Sequence, residues 1–259
     1  MTTGPAPVAV VTGANRGIGR AVTVAFAAAG YAVAAAARDP ATLADTVAEA
    51  SKTAGTAVPF GCDVLDETSV AQLAAGAGEL GPVHTVVANA GIAGPTAPLH
   101  EITLDEWRET IATNLDGVFL TFRAFIPAMI ERRAGSLIAI SSMTGKRPLP
   151  GRTPYAAAKM GVIGLVRTLA TELGPGNIRV NAVCPGFVAG PRMQQVVRRQ
   201  AVVRGVAEEA VRGEVTGLAP LGRLVRPEEV AETCVFLASG GSAAITGEDV
   251  NVTAGVVMY

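Results

Sequence analysis

The sequence predicts an α/β fold built as a doubly wound, parallel, seven-stranded sheet flanked by helices. Short apolar segments alternate with amphipathic segments of helical length throughout the 259 residues, which is the pattern of βαβ units. Hydrophobic residues make up 49% of the chain and aromatic residues only 4%. Small and β-branched side chains must therefore form the core, as they do around buried parallel strands. A glycine-rich turn also follows the first apolar segment.

The elements follow from these apolar segments. The expected strands are residues 8–13, 32–38, 57–64, 84–91, 135–142, 178–186 and 249–255. The expected helices are residues 19–29, 43–54, 70–80, 104–132 and 155–173. A Gly- and Pro-rich loop is expected between the fifth strand and the last of these helices. No repeat or low-complexity linker divides the chain, so residues 1–259 are predicted to form a single domain.

The least regular segment is residues 187–226, where valines alternate with arginine and glutamate at helical spacing. This spacing predicts one or two amphipathic helices. The segment follows the carboxyl end of a strand, where ligands of α/β proteins bind. We therefore predict a lid over a substrate, and a solvated helical insert is the alternative.

Composition narrows the class of function. The net charge of −1, without a long run of one sign, disfavours nucleic acid or an anionic membrane as a partner. Cys62, Cys184 and Cys234 lack paired spacing, and the chain has two histidines, so neither a disulfide framework nor a metal site is expected. The first residues do not resemble a secretory signal, and the apolar runs are shorter than the ~20 residues of a membrane helix. A cytoplasmic protein is expected.

Glycines mark a phosphate-binding turn between the first strand and the first helix. Gly13, Gly17 and Gly19 have the spacing Gly-x-x-x-Gly-x-Gly. A glycine at the strand end permits a tight turn, and the others let a pyrophosphate approach backbone N–H groups at the helix start. The flanking strand and helix supply the context that a glycine motif alone lacks.

This turn, with Thr12 ahead of it, resembles that of the short-chain dehydrogenase/reductase family. The resemblance continues through Asp63 in "CDV", "NAG" at residues 89–91, where Ala88 replaces the usual first Asn, and "PGF" at residues 185–187. It implies a Rossmann-type fold, a nicotinamide cofactor and a homotetramer, with a dimer as the alternative. The cofactor residues so implied are Thr12, Gly13, Asn15, Arg16, Gly17, Ile18, Gly19, Arg38, Asp63, Val64, Asn89, Ala90, Gly91, Tyr155, Lys159, Pro185, Gly186 and Val188.

Two arginines favour NADPH over NADH. Arg38 ends the second strand, where an acidic residue would bind the ribose hydroxyls of NAD, and Arg16 lies inside the glycine turn. Two guanidinium groups can hold a 2′-phosphate through charge-assisted hydrogen bonds. The alternative is that Asp39 binds the ribose and both arginines are solvated.

A tyrosine and a lysine four residues apart indicate the chemistry. Tyr155 and Lys159 share one face of a helix. An ammonium group about 4 Å from a phenol stabilises the phenolate by about 4 kcal/mol at an effective dielectric near 20, so Tyr155 can give a proton to a carbonyl oxygen. Ser142 can hydrogen-bond the same oxygen. By resemblance, Ser142, Tyr155 and Lys159 are catalytic, Asn114 is the fourth member, and Ser142 is preferred to Ser141.

The resemblance to polyketide and 3-oxoacyl-carrier-protein ketoreductases implies a ketone substrate that is apolar or polyketide-like. The residues predicted to contact it are Pro95, Ser142, Met143, Phe187 and Met193. An acyl carrier protein is a further expected partner, through Arg192, Arg198 and Arg199, although a solvated helical face explains these as well. Family members often carry a threonine shortly after "PG" that contacts the nicotinamide amide, and in this sequence Gly190 occupies that place. The alternatives are an NAD(P)-dependent dehydrogenase of a sugar, polyol or steroid alcohol, and a non-catalytic NADPH-binding regulator.

Overall fold

Seven parallel strands form one sheet in a computed structural model, which describes residues 6–259. The strand order is β3-β2-β1-β4-β5-β6-β7, and every adjacent pair is parallel. The strands are Val8–Thr12 (β1), Ala32–Ala37 (β2), Thr56–Gly61 (β3), Val83–Ala88 (β4), Gly135–Ile140 (β5), Ile178–Pro185 (β6) and Asp249–Val252 (β7). The predicted fold class is confirmed.

Helices cover both faces of the sheet, as parallel sheets require. The strands β1 and β5 are consequently buried along their whole length. Within residues 6–259 the α-helices are Gly17–Ala28 (α1), Ala44–Ala50 (α2), Glu67–Glu79 (α3), Leu104–Ile111 (α4), Gly117–Arg132 (α5), Met143–Lys146 (α6), Thr153–Leu173 (α7), Pro191–Arg204 (α8), Glu208–Gly217 (α9) and Pro227–Ala238 (α10). One hydrophobic cluster packs α3, α5 and α7 on one face, and another packs α1 and α10 on the other. In this part of the chain, no helix combines the length and the apolarity needed to cross a membrane.

The strand order places a crevice at the carboxyl edge of the sheet. The chain winds from β1 outwards to β3, and then continues on the other side of β1 from β4 to β7. Ligands of open α/β sheets bind at the point where the order reverses, beyond the carboxyl ends of the strands. Here that point lies between Thr12 and Ala88, the last residues of β1 and β4.

The prediction of one continuous helix over residues 104–132 is wrong. The structure has α4, a π-helical turn at Ala112–Asp116, and then α5. A π-turn adds one residue to a helical turn, so it keeps the chain helical while rotating the side chains that follow. The apolar periodicity on either side of the turn is helical, which is why the sequence pattern conceals it.

Other boundaries also differ from the sequence expectation. The loop expected after the fifth strand contains the short helix α6, whose Met143 and Thr144 are buried. The helix expected over 43–54 is a 3₁₀ turn at Pro40–Leu43 followed by α2. All seven strands end earlier than predicted, most clearly β3, β4 and β7. After β4, the backbone N–H groups of Asn89 and Ala90 bond to Thr12 across the crevice rather than along the sheet.

The segment 187–226 contains two helices, α8 and α9, within the predicted range of one or two. Their apolar faces form a small hydrophobic cluster of their own, which we call the α8–α9 cluster: Met193, Val197, Ala201 and Val211, with Phe187, Val196, Val215 and Leu224 against it. A cavity of about 120 Å³ lies beside this cluster. The two helices therefore pack on each other as a unit.

The close approach of α1 to the end of β1 requires glycine at position 19. A Cβ at Gly19 would collide with the carbonyl oxygen of Gly13 and lie 2.5 Å from Nδ2 of Asn89. We expect Gly19→Ala to lower the free energy of unfolding by about 1–3 kcal/mol, the usual cost of overpacking. Urea unfolding monitored by circular dichroism measures this change.

Gly78→Ala is the matched control, because Gly78 lies in α3 with no atom within 4 Å of the added Cβ. It should leave stability unchanged or raise it by up to about 1 kcal/mol. Equal stability of Gly19→Ala and the wild type would contradict the packing at this turn.

Candidate active site

The glycine turn leaves the first turn of α1 open to an anion. Gly13 and Gly17 have φ values of 65° and 55°, in the left-handed region that glycine adopts without strain. The residue before the helix, Arg16, has extended backbone and makes no side-chain cap. The first backbone N–H groups of α1 are thus not capped by a side chain, and the helix dipole favours negative charge there. This geometry fits the predicted pyrophosphate site.

Thr12 and Asn89 bind each other across the crevice. Nδ2 of Asn89 donates to the carbonyl oxygens of Thr12 and Gly13 at 2.9 and 3.1 Å. The backbone N–H groups of Asn89 and Ala90 both donate to Oγ1 of Thr12 at 3.1 Å. These four bonds join the ends of β1 and β4, so the two side chains hold the shape of the crevice.

Two arginines lie near the crevice, Arg16 in the glycine turn before α1 and Arg38 directly after β2. Arg16 and Arg38 are exposed, and neither forms an ion pair with any residue in the described part of the chain. By contrast, Arg20 pairs with Glu49 at 2.8 Å. Oδ1 of Asp39 accepts the backbone N–H of Ala41 at 2.9 Å, capping a 3₁₀ turn. Asp39, which would select NAD by binding the ribose, therefore caps the 3₁₀ turn, while Arg16 and Arg38 are available to bind a phosphate.

The acidic side chain after β3 also bonds to its own loop. Oδ1 of Asp63 accepts the backbone N–H of Leu65 at 3.0 Å. Asp63 is exposed and its neighbour Val64 is buried. One oxygen of Asp63 is thus used locally, and the carboxylate still faces solvent at the carboxyl edge of the sheet.

The two serines after β5 have different partners. Oγ of Ser141 donates to the carbonyl oxygen of Lys159 at 2.8 Å, and Ser141 is 2% exposed. Oγ of Ser142 accepts the backbone N–H of Thr144 at 3.1 Å and caps α6. Because Ser142 accepts in that bond, its own O–H proton is free to donate to a ligand. The geometry favours Ser142 over Ser141 for contact with substrate.

Lys159 is buried and bound to the end of β5. Its side chain is 3% exposed, and Nζ donates to the carbonyl oxygen of Ile140 at 2.8 Å. Nζ lies 5.8 Å from the centre of the Tyr155 ring. Burial lowers the pKa of Lys159 from 10.5 to about 7, and the positive charge of Arg192 contributes to the same shift. Near pH 7 the amine is therefore balanced between its two protonation states, and a nearby anion would favour the ammonium form.

Asn114 lies in the π-helical turn with an unused acceptor. The residue is fully buried, and its Nδ2 donates to the carbonyl oxygen of Thr110 at 2.9 Å. Its Oδ1 has no hydrogen-bond partner among residues 6–259. A Cβ at Gly91 would lie 2.6 Å from that oxygen, so the glycine keeps space open beside it. A buried acceptor without a partner is costly, and this one fits a role in a water relay.

Sequence reasoning missed Arg152. This residue is 6% exposed, and its Cζ lies 4.9 Å from the centre of the Tyr155 ring, a cation–π contact. Nη2 donates to the carbonyl oxygen of Ala93 at 2.7 Å, and Nη1 donates to Oγ1 of Thr96 at 3.2 Å. An arginine among glycines and prolines looks solvated in sequence. Its position three residues before Tyr155, at the start of a helix, was the available signal.

The segment after β6 is fixed by backbone bonds. The N–H of Gly186 donates to the carbonyl oxygen of Val252 at 2.9 Å, and a Cβ at Gly186 would lie 2.8 Å from Cα of Thr253. Val188 forms an isolated parallel bridge with Val225. These contacts hold residues 186–188 at the carboxyl edge of the sheet, where the predicted nicotinamide cover belongs.

The predicted substrate residues are distributed around this edge. Pro95 follows β4 and is half-buried, in the same loop as Thr96. Met143 is 4% exposed. Phe187 and Met193 pack in the α8–α9 cluster, so their side chains contact other residues of that unit. Gly190, immediately before α8, has a φ of 139° and no atom within 4 Å of a built Cβ.

Comparison with known proteins identifies the family. A family model described as Enoyl-(Acyl carrier protein) reductase matches residues 13–257. The chain belongs to the short-chain dehydrogenase/reductase family. The sequence of this short-chain dehydrogenase/reductase is 39% identical over 256 residues to the granaticin polyketide synthase putative ketoacyl reductase 1 of Streptomyces violaceoruber, covering 98% of this chain and 94% of the relative.

Two further matches agree. The 3-oxoacyl-[acyl-carrier-protein] reductase FabG of Thermotoga maritima is 36% identical over 252 residues, covering 97% of this short-chain dehydrogenase/reductase and 98% of the relative. The crystal structure of a single-substitution variant of the actinorhodin polyketide ketoreductase with NADPH superposes with a TM-score of 0.95, at 35% identity over all of both chains. The predicted family and the oxidoreductase class are confirmed, whereas the roles assigned to single residues stay predictions.

Burial of Lys159 predicts a pH-dependent stability difference. Its pKa is lowered on folding, so the unfolded chain binds more protons between pH 7 and pH 10.5, and the contribution of this residue to stability rises with pH across that window. Lys159→Met removes the effect. The free energy of unfolding of this variant relative to the wild type should fall by about 3 kcal/mol between pH 7 and pH 9.5, as measured by urea unfolding.

Lys52→Met is the control, because Lys52 is exposed. Its stability relative to the wild type should be the same at both pH values. If the difference in free energy of unfolding between Lys159→Met and the wild type does not change with pH, the amine is not desolvated in the folded protein.

Proposed function

We propose that this protein is an NADPH-dependent ketoreductase, which reduces a ketone to a secondary alcohol with Tyr155 as proton donor. The observation that carries the proposal is the placement of the Tyr155 ring close to two buried cationic side chains, those of Lys159 and Arg152. Positive groups near a phenol favour its anionic form, which is what loss of its proton requires.

The residues of the crevice fit NADPH. The uncapped first turn of α1 suits a pyrophosphate, and the exposed Arg16 and Arg38 suit a 2′-phosphate. The fold neighbour with NADPH supports the same choice. When bound, NADPH supplies the hydride that reduces the carbonyl carbon. The side chains of this protein bind the carbonyl oxygen and supply the proton that it takes up.

As a ketone is reduced, its oxygen gains negative charge. The O–H of Ser142 is free to donate to that oxygen and to hold it in place. Tyr155 transfers its proton to the same oxygen, and the charge on Lys159 stabilises the phenolate that remains. Asn114, with its unused acceptor, supports a water relay that returns a proton towards Lys159. Ser142 and Tyr155 thus act on the carbonyl oxygen, whereas Lys159 and Asn114 act on the phenolate and on its reprotonation.

Several finer assignments are also proposals. The relatives named as ketoacyl and 3-oxoacyl reductases support an apolar or polyketide-like ketone. It would lie near Pro95, Met143 and Phe187, beneath a lid formed by residues 187–226. An acyl carrier protein as donor of the substrate, assembly as a homotetramer and a cytoplasmic location complete the proposal. Oxidation of a sugar, polyol or steroid alcohol with NAD is the second candidate, and the exposed Arg16 and Arg38 disfavour it.

The acid role of Tyr155 has a direct test. Tyr155→Phe removes the transferred proton and little else, so it should lower kcat for ketone reduction by at least about 10²–10⁴-fold, the range of general acid catalysis. NADPH consumption with a panel of bicyclic ketones, β-ketoesters and keto sugars measures this change. Binding of NADPH, measured by its fluorescence, should remain within a few-fold of the wild type.

Tyr31→Phe is the matched control, because Tyr31 packs against Phe26 at the start of β2, and this variant should turn over normally. If Tyr155→Phe reduces every accepted ketone as fast as the wild type, the acid is another group. If no ketone is reduced by the wild type, the non-catalytic alternative is favoured.

The arginine pair predicts cofactor preference. Replacing Arg16 and Arg38 together by Gln should raise the KM for NADPH by at least about 100-fold, because two charge-assisted bonds of about 1.5–3 kcal/mol each are lost. The KM for NADH, which lacks the 2′-phosphate, should change less than about threefold on the same reasoning. Arg20→Gln is the control, because Arg20 is already paired with Glu49. A wild-type preference for NADH would overturn the cofactor assignment.

A further inference from the structure

The walls around Tyr155 carry positive charge without a counter-ion. Arg152 is buried beside the ring, and its hydrogen bonds are to two neutral oxygens, the carbonyl of Ala93 and Oγ1 of Thr96. Its Nε is buried without any partner in residues 6–259. A guanidinium group has five N–H donors, so its bonding capacity is largely unused here.

Further cations lie close to this guanidinium. Nη2 of Arg192 donates to the carbonyl oxygen of Gly91 at 2.7 Å, which places this arginine at the crevice. Burial lowers the pKa of Arg152, Tyr155 acts against this shift, and the positive charges of Arg192 and Arg199 add to it. Lys159 is the fourth cation of the group. We call Arg152, Lys159, Arg192 and Arg199 the cationic cluster.

The two other arginines of α8, Arg198 and Arg204, form ion pairs with glutamates. Arg198 lies 3.6 Å from Glu208, and Arg204 binds Glu214 at 2.8 Å. Within the described chain, no member of the cationic cluster forms an ion pair. Of the four members, Arg152 and Lys159 are buried, whereas Arg192 and Arg199 are exposed on α8. Buried charges in proteins are normally paired. A cluster of like charges around a reactive side chain, bonded only to neutral groups, is the arrangement expected where the counter-ion arrives with a ligand.

We propose that the ketone substrate carries its own carboxylate, close to the carbonyl, and that Arg152 binds this carboxylate. The inference rests on the proposed ketone reduction, and it takes a free oxo acid in place of the carrier-bound apolar ketone as the substrate. Arginine matches a carboxylate in shape and charge, with paired N–H groups that bind both oxygens. Arg192 and Arg199, which lie on the lid helix α8, add attraction from that side. Arg152 is thus a specificity-determining residue that selects short oxo acids over neutral ketones.

The location of Arg152 sets the length of the substrate. Its Cζ is 4.9 Å from the centre of the ring that gives the proton, so a carboxylate on Arg152 must lie within a few bonds of the reacting carbonyl. The phosphate of a carrier-bound thioester lies at the far end of a long flexible arm and does not reach this place. The phosphates of the cofactor are the other anions to be distinguished by experiment.

The test compares each oxo acid with its neutral twin. The 2-oxo, 3-oxo and 4-oxo derivatives of pentanoate and their methyl esters are assayed with NADPH. For the wild type, kcat/KM should be at least about 10-fold higher for one of the acids than for its ester, since a charge-assisted bond is worth about that much. Arg152→Gln should lower kcat/KM for that acid about 10–100-fold more than it lowers kcat/KM for the matching ester.

Two controls accompany this variant. Arg198→Gln removes an equal charge from α8 at a residue already paired with Glu208, and it should leave the acid-to-ester ratio unchanged. Arg152→Lys retains the charge but not the fork of donors, and it should recover part of the preference for the acid.

The outcomes separate the inference from the proposed function. Turnover of esters without a preference for any acid overturns the carboxylate and leaves ketone reduction standing. An equal loss for acid and ester in Arg152→Gln assigns this residue to the positioning of Tyr155 and also overturns it. A raised KM for NADPH in that variant assigns the anion to the cofactor and overturns the carboxylate as well. If neither acids nor esters are reduced, the proposed function itself fails. If Arg152→Gln does not fold, the acid-to-ester ratio of the wild type still decides.

Discussion

Two hydrogen bonds running in opposite directions join the end of β5 to the start of α7, and the arrangement of the site depends on them. The amine of Lys159 donates to the carbonyl of Ile140, and the hydroxyl of Ser141 donates back to the carbonyl of Lys159. Gly145 permits this approach, because a Cβ there would lie 2.9 Å from the backbone of Lys159. The strand end is thereby fixed to the helix that carries Tyr155. Such a connection between rigid elements holds reacting groups more accurately than a loop could.

The sequence was informative wherever a pattern repeats. The alternation of apolar strands with amphipathic helices defined the sheet, and the glycine spacing located the end of β1. The preference for Ser142 over Ser141 came from family spacing alone, and the structure supplies the physical reason, because the hydroxyl of Ser141 is used by Lys159. The π-turn around Asn114 could not be predicted, because an extra residue in one turn leaves the periodicity on each side intact. Arg152 was missed because its burial depends on Ala93 and Thr96, residues more than fifty positions away in the chain.

The positively charged side chains at the two ends of the crevice differ in their exposure to water. Arg16 and Arg38 are exposed, so water screens them and solvation stabilises them when no phosphate is bound. Arg152 and Lys159 are buried, where charge acts strongly on a neighbour but costs desolvation energy. The exposed pair suits reversible capture of a dinucleotide. The buried pair lies beside the ring of Tyr155. The lowered pKa values of Arg152 and Lys159 both reflect desolvation.

The helices α8 and α9 pack on a cluster of their own and meet the sheet edge through an extended segment that begins at residue 186. The side chains of α8 and α9 are thus supported by one another, whereas the groups proposed to transfer the proton are supported by β5 and α7. Selection for a new ligand can therefore change the side chains of α8 and α9 while those held by β5 and α7 stay the same. This division of support allows enzymes of one ancestry to diverge in what they accept and to keep the chemistry they perform.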